Sequence, residues 1–245
     1  MNDSCGALRS PDDSRDWVYE RIVNSHSYCD KPPDEFKIIS GKSLPPRDQG
    51  KRGSCAAFAG ATIKELHDVA SAVRLSPEFI YYHRNIKPAE GMYGRNVFQI
   101  LQQIGVVPEE LYPYQDDESN VNKPSRRLYD LAAKYRINNY ARVYTIDGLK
   151  RALFELGPCY LSLPLYKNRP EFWMAEDGEE CTGGHAVAVI GYNIEGFIIK
   201  NSWGEDWNGS GYIIFPYDKW NLHWECWVGI VQHTRVKKYK KCVLF

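Results

Sequence analysis

The sequence predicts an α+β fold in two lobes, with the helices first and the strands afterwards. An alanine-rich run from Cys55 to Val69 repeats its apolar residues at helical spacing. Beyond residue 156, short apolar runs alternate with Gly, Pro, Asn and Asp, which is typical of strands joined by turns. A chain of 245 residues, 43% of them hydrophobic, can bury a core for such a fold. Because ligand clefts commonly form between lobes, we expect a site there.

The predicted helices have recognisable ends. The first begins with Cys55 in its opening turn, and Ser76 caps a second helix whose first position is proline. A third helix covers residues 97–104 and stops at Gly105, and a short amphipathic helix covers residues 146–156. The predicted strands are Cys159 to Leu165, His185 to Tyr192, Phe197 to Asn201, Gly211 to Phe215 and Trp227 to Gln232.

These elements divide the chain into four parts. We expect residues 1–40 to form an irregular N-terminal extension and residues 41–125 a helical lobe that carries the nucleophile. Residues 126–234 are predicted to form a β-rich lobe with an antiparallel, barrel-like sheet, followed by a basic tail at residues 235–245. Residues 11–40 have the length needed to lie across a cleft between the lobes.

Composition excludes several classes of function. Lys and Arg total 31, and Asp and Glu total 31, so no net charge attracts nucleic acid. No apolar run is long enough for a signal peptide or a membrane span. We therefore expect a cytoplasmic or virion-associated protein that acts as a monomer and uses no cofactor.

The seven cysteines are scattered and include no CxxC pair, which favours free thiols in a reducing compartment. Cys181 and Cys226 are the pair that we expect to join if the protein meets oxidising conditions. Cys181 and His185 are four residues apart, but no second pair has the short spacing of a zinc site. The acidic, glycine-rich residues 204–211 do not match the spacing of a calcium loop, so we expect no metal.

Cys55, His185 and Asn201 form the pattern that indicates chemistry. A helix amino terminus and a neighbouring histidine activate a thiol, and Cys55 meets the first condition by its position. His185 begins a buried strand, and a turn and a second strand bring Asn201 beside it. An amide there can hold one ring nitrogen while the other faces the thiol. Each residue alone is more often structural, so the combination carries the prediction.

The chain resembles the papain family (C1) of cysteine peptidases. Cys55, His185 and Asn201 match the nucleophile, the general base and the residue that orients the base. Gln49, six residues before Cys55, matches the glutamine whose amide forms the oxyanion hole with the backbone N–H of the nucleophile. Trp203, in the segment NSWG, matches the tryptophan that shields the His–Asn hydrogen bond. The resemblance implies a papain-like two-lobed fold, a polypeptide substrate, endopeptidase chemistry and a charged resting His185.

The resemblance covers residues 11–232 and is closest to a divergent group, known from prokaryotes and viruses, that lacks a large prosegment. Ala56 stands where the secreted enzymes carry tryptophan, and Arg52 stands where they carry a disulfide cysteine. No GCNGG segment precedes the third helix, so Gly91 and Gly94 are both candidates for the backbone clamp on the substrate.

Two small residues flank His185. The resemblance places Gly184 and Ala186 near the pocket for the second residue on the acyl side of the substrate. Because both are small, we expect an apolar preference there.

Two other kinds of protein could use the same fold. A papain-fold acyltransferase, transglutaminase or deubiquitinating enzyme would combine the same cysteine and histidine with another acceptor or substrate. An inactive binding module would keep the fold without the chemistry. The NSWG segment and Gln49 favour a peptidase. A thiol probe separates the alternatives, because a binding module labels no faster at Cys55 than elsewhere.

The last eleven residues, RVKKYKKCVLF, end in Cys-aliphatic-aliphatic-Phe, the pattern of a prenylation box with Cys242 as the acceptor. The basic residues before Cys242 supply the second signal that stable membrane anchoring needs. The alternative is a frayed basic end with an accidental cysteine. Prenylation predicts a protease on the cytosolic face of a membrane.

Overall fold

The structure is a computed structural model that describes residues 6–24, 31–38, 44–67, 72–167 and 169–231. Its helices are α1 (Tyr19–Asn24), α2 (Cys55–His67), α3 (Pro77–Tyr82), α4 (Gly94–Gln103), α5 (Arg126–Ala132) and α6 (Ile146–Glu155). Its strands are β1 (Ala7–Leu8), β2 (Phe36–Lys37), β3 (Met92–Tyr93), β4 (Asn139–Arg142), β5 (Cys159–Leu165), β6 (Gly183–Tyr192), β7 (Gly196–Lys200), β8 (Tyr212–Pro216) and β9 (Glu225–Ile230). The predicted α+β organisation is confirmed.

The helical lobe is built around α2. Eleven of the thirteen residues of α2 are buried, because its small side chains allow neighbours on every side. Gly60 lets α4 approach closely, since a Cβ there would lie 2.3 Å from Val97 Cγ1. Ser76 caps α3 by accepting a hydrogen bond from the Phe79 N–H at 2.9 Å. Gly105, with φ of +93°, ends the helical path after α4.

An antiparallel sheet with the order β4-β9-β5-β6-β7-β8 forms the second lobe, and β2 pairs with β6. The sheet separates two cores. One face, which includes Ala186 and Ala188, packs against α2, and the other, which includes Val187 and Leu161, packs against α6. Because both faces are covered, every residue of β5 is buried, and the strand is apolar apart from Ser162.

The N-terminal region is more regular than predicted. Within residues 1–40, β1 pairs with β3 in parallel and β2 pairs with β6. The lobe boundary predicted at residue 126 also lies elsewhere. Helix α5 packs on a helical-lobe cluster that includes Phe79, Val107 and Tyr112, so the β lobe begins at β4. Both features depend on long-range contacts that no local pattern reveals.

The predicted Cys181–Cys226 pairing is not formed. Both thiols are free, with Cys181 exposed and Cys226 buried in β9. Within the described ranges, no helix is long and apolar enough to cross a membrane. The tail at 235–245, with Cys242, lies outside the described residues, so prenylation, membrane contact, the monomeric state and the location of the protein stay predictions.

Candidate active site

Cys55 is the first residue of α2, and the turn before it explains why the helix begins there. The Ser54 carbonyl accepts hydrogen bonds from the N–H groups of Ala57 at 2.9 Å and Phe58 at 3.1 Å, so the chain is helical from Cys55 onwards. Cys55 is fully buried. Backbone N–H groups at a helix start have no partner within the helix and form the positive end of its dipole. This position favours a thiolate.

His185 and Asn201 lie side by side because β6 and β7 are antiparallel neighbours. His185 Nε2 lies 2.7 Å from Asn201 Oδ1, so Nε2 carries the proton and donates it to the amide oxygen. The same oxygen accepts the Ser202 N–H at 2.8 Å, which fixes the orientation of the amide. His185 Nδ1 is buried and has no hydrogen-bond partner among the described residues. It is the ring atom left to exchange a proton with a thiol.

Aromatic rings enclose the imidazole of His185. Trp203 stacks on it with ring centroids 4.3 Å apart, and Phe172 meets it edge-on at 5.1 Å. Burial lowers the pKa of His185 to about 4, although the hydrogen bond to Asn201 acts in the opposite direction. Burial thus favours the neutral ring in this form, and the charged resting His185 that the resemblance implies stays a prediction.

Gln49 is held in place from both lobes. Its side-chain oxygen accepts a hydrogen bond from Ser202 Oγ at 2.7 Å, and its Nε2 donates to the Arg52 carbonyl at 3.1 Å. Its backbone N–H also donates to the Ser202 carbonyl at 2.9 Å. These contacts fix the Gln49 amide directly before the turn at residues 50–53 that leads into Cys55. The predicted oxyanion-hole glutamine is thus preorganised by contacts of its own loop and of the β lobe.

Residues 6–10, which we call the cleft segment, run along the line where the lobes meet. The Gly6 N–H donates to the Gly184 carbonyl at 3.0 Å, and the Gly6 carbonyl accepts the Met92 N–H at 2.7 Å. From there β1 continues in parallel beside β3, with Ala7 opposite Met92. Gly184 directly precedes His185. The segment therefore lies directly beside His185.

Gly6 marks the closest approach of the cleft segment to the cysteine turn. A Cβ on Gly6 would lie 2.0 Å from the Gly53 carbonyl oxygen, which no side chain can tolerate. Gly53 is two residues before Cys55. The segment passes over this turn only because residue 6 has no side chain.

The two glycines predicted to form the backbone clamp have different contacts within the chain. The N–H that pairs with the cleft segment belongs to Met92, between the two predicted glycines. Gly91 lies beside the segment, where a Cβ would be 3.0 Å from the Gly6 carbonyl oxygen. Gly94 instead begins α4 and donates its N–H to Glu225 at 3.1 Å. The role of Gly91 and Gly94 as a clamp on the substrate stays a prediction.

Sequence reasoning missed three residues around this site. Ser202 had a signal, because it lies within the NSWG segment, but its contact with Gln49 depends on the meeting of the two lobes. Phe172 comes from a connecting loop between β5 and β6 that has no recognisable pattern. Glu225 is an acidic residue at the start of an apolar strand, and the sequence did not indicate that its side chain is buried.

Comparison with known proteins identifies relatives of this arrangement. The family model described as papain family cysteine protease matches residues 33–231. Cathepsin K from Gallus gallus is 32% identical over 191 residues, which is 71% of this chain and 55% of cathepsin K. The chain thus spans little more than half the length of that relative. An uncharacterised peptidase C1-like protein of Acanthamoeba polyphaga mimivirus is 30% identical over 215 residues, which is 75% of this chain and 68% of the viral protein.

Solved structures share the architecture. Xylellain, a cysteine protease from Xylella fastidiosa, superposes with a TM-score of 0.79 and 26% identity, covering 94% of this chain and 97% of xylellain. The procathepsin B S9 of Trypanosoma congolense superposes with a TM-score of 0.72 at 16% identity, over 94% of this chain and 87% of that protein, which supports the fold alone. Bacterial and viral relatives agree with the divergent group predicted from the sequence.

Proposed function

The chain belongs to the papain family of cysteine proteases, and from this premise we propose that it hydrolyses internal peptide bonds of polypeptides with Cys55 as the nucleophile. The observation that carries the proposal is the geometry of His185. Its Nε2 is committed to Asn201 at 2.7 Å, which leaves Nδ1 to take the thiol proton.

The first half-reaction acylates the enzyme. His185 Nδ1 removes the proton of the Cys55 thiol, and the sulfur attacks the carbonyl carbon of the substrate. The Gln49 amide and the Cys55 backbone N–H stabilise the negative charge that develops on the carbonyl oxygen, and one such donor contributes about 3 to 4 kcal/mol. His185 then gives its proton to the leaving amine, and a thioester remains on Cys55.

The second half-reaction releases the acyl product. Water attacks the thioester carbonyl while His185 Nδ1 accepts its proton, and the same proton returns to the departing sulfur. Trp203 and Phe172 keep water away from the hydrogen bond between His185 and Asn201. The imidazole therefore keeps one orientation through both half-reactions.

Catalysis requires the cleft segment to move. A substrate backbone that approached Cys55 would compete with Gly6 for the Gly184 carbonyl and the Met92 N–H. The described form is therefore a resting one, in which the segment excludes both substrate and water from His185. Water that returned to the cleft would raise the pKa of His185 from its buried value and favour the ion pair with Cys55.

Hydrolysis of quenched fluorescent peptides tests the activity itself. The wild-type chain is expected to cleave internal bonds, and Cys55→Ala is expected to lose all turnover. Cys181→Ala, which removes an exposed thiol, is the matched control and keeps full activity. Mass spectrometry of the products identifies the acceptor, because a peptidase yields free carboxylates whereas an acyltransferase yields a new amide or ester.

The Gly6→Ala variant tests the resting form. Its Cβ would collide with the Gly53 carbonyl, so the segment should leave the cleft and kcat/KM for small peptides should rise about tenfold. Arg9→Ala removes an exposed side chain of the same segment and serves as the control. Equal activity of the wild type and Gly6→Ala would contradict occlusion. Cys55 labelling no faster than that of Cys181 in Gly6→Ala would favour an inactive binding module.

A further inference from the structure

The two donors of the proposed oxyanion hole come from opposite ends of one turn. Gln49 supplies its side-chain amide from directly before residues 50–53, and Cys55 supplies its backbone N–H shortly after them. Two of the four turn residues are glycines, and Gly50 has a φ of +63°, so the turn has little stiffness of its own. The separation of the two donors therefore depends on contacts that cross the turn.

Tyr114 makes such a contact. Its hydroxyl donates a hydrogen bond to the Gln49 carbonyl at 2.8 Å, and its oxygen lies 2.8 Å from Ser54 Oγ. Because a phenol has a single proton, which the Gln49 carbonyl receives, Ser54 is the donor to Tyr114. Ser54 directly precedes Cys55 and is fully buried. One oxygen atom thus joins the residue before the turn to the residue after it.

The main chain of Gln49 is anchored at both of its polar groups. Its N–H donates to the Ser202 carbonyl in the β lobe at 2.9 Å, and its carbonyl accepts the Tyr114 hydroxyl in the helical lobe. The side-chain contacts of Gln49 with Ser202 and with the Arg52 carbonyl start from this anchored backbone. Loss of the Tyr114 hydroxyl would release one anchor and leave those side-chain contacts in place. The amide would then shift without leaving the site.

The ring of Tyr114 is held on several sides. Phe58 meets it edge-on with ring centroids 4.7 Å apart, and the Arg52 guanidinium lies 5.1 Å from its centroid. The Tyr114 N–H also donates to Glu109 Oε1 at 2.8 Å. Burial raises the pKa of Tyr114 to about 12, so the hydroxyl keeps its proton at neutral and acidic pH. The hydrogen bond to Gln49 is therefore present wherever peptide hydrolysis is measured.

We propose that Tyr114 is a positioning residue that sets the separation of the two oxyanion donors, the Gln49 amide and the Cys55 N–H. The proposal rests on the peptidase function proposed above and adds to its site a residue that touches neither the substrate nor the reacting atoms. An oxyanion hole accelerates the reaction only when its donors are placed for the charge that develops in the transition state. A donor that is slightly displaced loses this effect although it remains in the site. Tyr114 therefore acts on turnover and not on substrate binding.

Tyr112 provides the matched comparison. It lies in the same Tyr-Pro-Tyr segment as Tyr114, and its hydroxyl donates to the Asn122 carbonyl, outside the turn. Tyr112→Phe and Tyr114→Phe each remove one hydroxyl that is bonded to a backbone carbonyl, so both should lower the free energy of unfolding by similar amounts. A purely structural role for Tyr114 predicts that the two variants also behave alike in catalysis. A positioning role predicts that only Tyr114→Phe affects the reaction.

The test compares three reactions of the wild type and the two variants. For Tyr114→Phe we expect kcat for peptide hydrolysis to fall about tenfold at unchanged KM, less than the roughly 100- to 1,000-fold loss when a donor is removed outright. Inhibition by a peptide aldehyde, whose adduct with Cys55 carries an oxyanion, should weaken about tenfold as well. Alkylation of Cys55 by iodoacetamide forms no oxyanion and should keep the wild-type rate. Tyr112→Phe should match the wild type in all three reactions.

Two further sets of variants complete the test. Each tyrosine substitution is also made in Gly6→Ala, because the cleft segment contacts Gly53 within the turn, and the fall in kcat should be the same in both backgrounds. Ser54→Ala covers the case in which Tyr114→Phe does not fold. It removes the other half of the bridge and leaves the Tyr114 donation, so kcat should fall about threefold at unchanged KM. An unchanged kcat in Ser54→Ala would contradict the bridge.

The outcomes separate the two proposals. If the wild type and Gly6→Ala hydrolyse no peptide, the peptidase function fails, and the role of Tyr114 fails with it. If they hydrolyse peptides and Tyr114→Phe turns over as fast as Tyr112→Phe, the role of Tyr114 alone is overturned. A parallel fall in hydrolysis, aldehyde binding and alkylation would also overturn it, because it would indicate a general loss of structure around Cys55.

Discussion

The two sides of the cleft are supported by different chemistry. On the helical side, Arg52 makes two hydrogen bonds to Glu78, at 2.5 and 3.1 Å, and its guanidinium lies 5.1 Å from the ring centroids of Tyr81 and Tyr114. On the β side, stacked and edge-on rings surround His185. A buried ionic cluster thus positions the cysteine turn, and an aromatic enclosure positions the base.

The difference follows from what each side supports. The Arg52 carbonyl accepts a hydrogen bond from the Gln49 amide at 3.1 Å, so the ionic cluster fixes the turn between Gln49 and Cys55. By resemblance, Arg52 stands where secreted relatives have a disulfide cysteine, and its pair with Glu78 ties the turn to α3 without a covalent bond. The rings around His185 hold the imidazole and exclude water. An ion pair of this kind can be exchanged for apolar residues of similar size, whereas the enclosure around His185 needs aromatic rings to fill it.

The largest effect is expected from Trp203→Ala. The substitution removes the stacked ring from His185, opens the His185–Asn201 hydrogen bond to water, and leaves a cavity in the second core. We expect the free energy of unfolding to fall by about 3 to 5 kcal/mol. We also expect kcat of the folded enzyme to fall. Urea unfolding and peptide hydrolysis measure the two effects. Trp203→Phe, which keeps an aromatic face, should recover most of both; equal stability of Trp203→Ala and the wild type would contradict the structural role.

Glu78→Gln tests the ionic side. It leaves the buried Arg52 guanidinium with only the more distant Glu118 carboxylate, at 3.8 Å, and breaking such a buried pair costs about 3 to 5 kcal/mol. The double variant Arg52→Met and Glu78→Leu should recover most of this loss, because neither member of the buried ion pair remains. Urea unfolding of the wild type, the single variant and the double variant gives the three free energies. A double variant as unstable as Glu78→Gln would mean that the charges themselves are indispensable.

The helices and strands could be predicted from the sequence, but most of the contacts between distant residues could not. The helix that starts at Cys55 and the strand that carries His185 follow from apolar spacing, which is a local property. The position of Gln49 relative to them could be predicted only through family resemblance, whereas the turn and second strand already predicted Asn201 beside His185. Residues whose role depends on where distant segments meet, such as Phe172 and Glu225, had no local signal.

The contacts of the cleft segment also could not be predicted from a local sequence pattern. Gly6 is an ordinary glycine in the sequence, and only its contact with Gly53 shows why a side chain is excluded there. The prediction placed residues 11–40 across the cleft, whereas residues 6–10 run along it, and it did not indicate the parallel pairing of β1 with β3. Short strands of two residues carry no periodicity, so their pairing is decided by tertiary structure.

The pH dependence of the free energy of unfolding gives the smallest expected effect, and it tests the aromatic enclosure of His185 alone. The pKa of His185 is about 4 in the folded protein and 6.5 as the reference, because burial disfavours the charged ring. Between these values the unfolded chain binds the proton that the folded chain excludes. The contribution is therefore fully present above about pH 6.5 and is lost as the pH falls through 4, by about 3 kcal/mol in total.

The matched variant is His185→Gln, which keeps an amide beside Asn201 and does not titrate. The difference in unfolding free energy between the wild type and this variant, measured in urea at several pH values, should narrow by about 3 kcal/mol from pH 7 to pH 4 and stay constant above pH 7. The causes of the shift are burial and the Asn201 hydrogen bond, so moderate salt should leave the difference unchanged. A difference that stayed constant down to pH 4 would mean that burial does not lower the pKa of His185, and one that widened as the pH fell through 7 would mean that His185 is charged at neutral pH, as in an ion pair with Cys55.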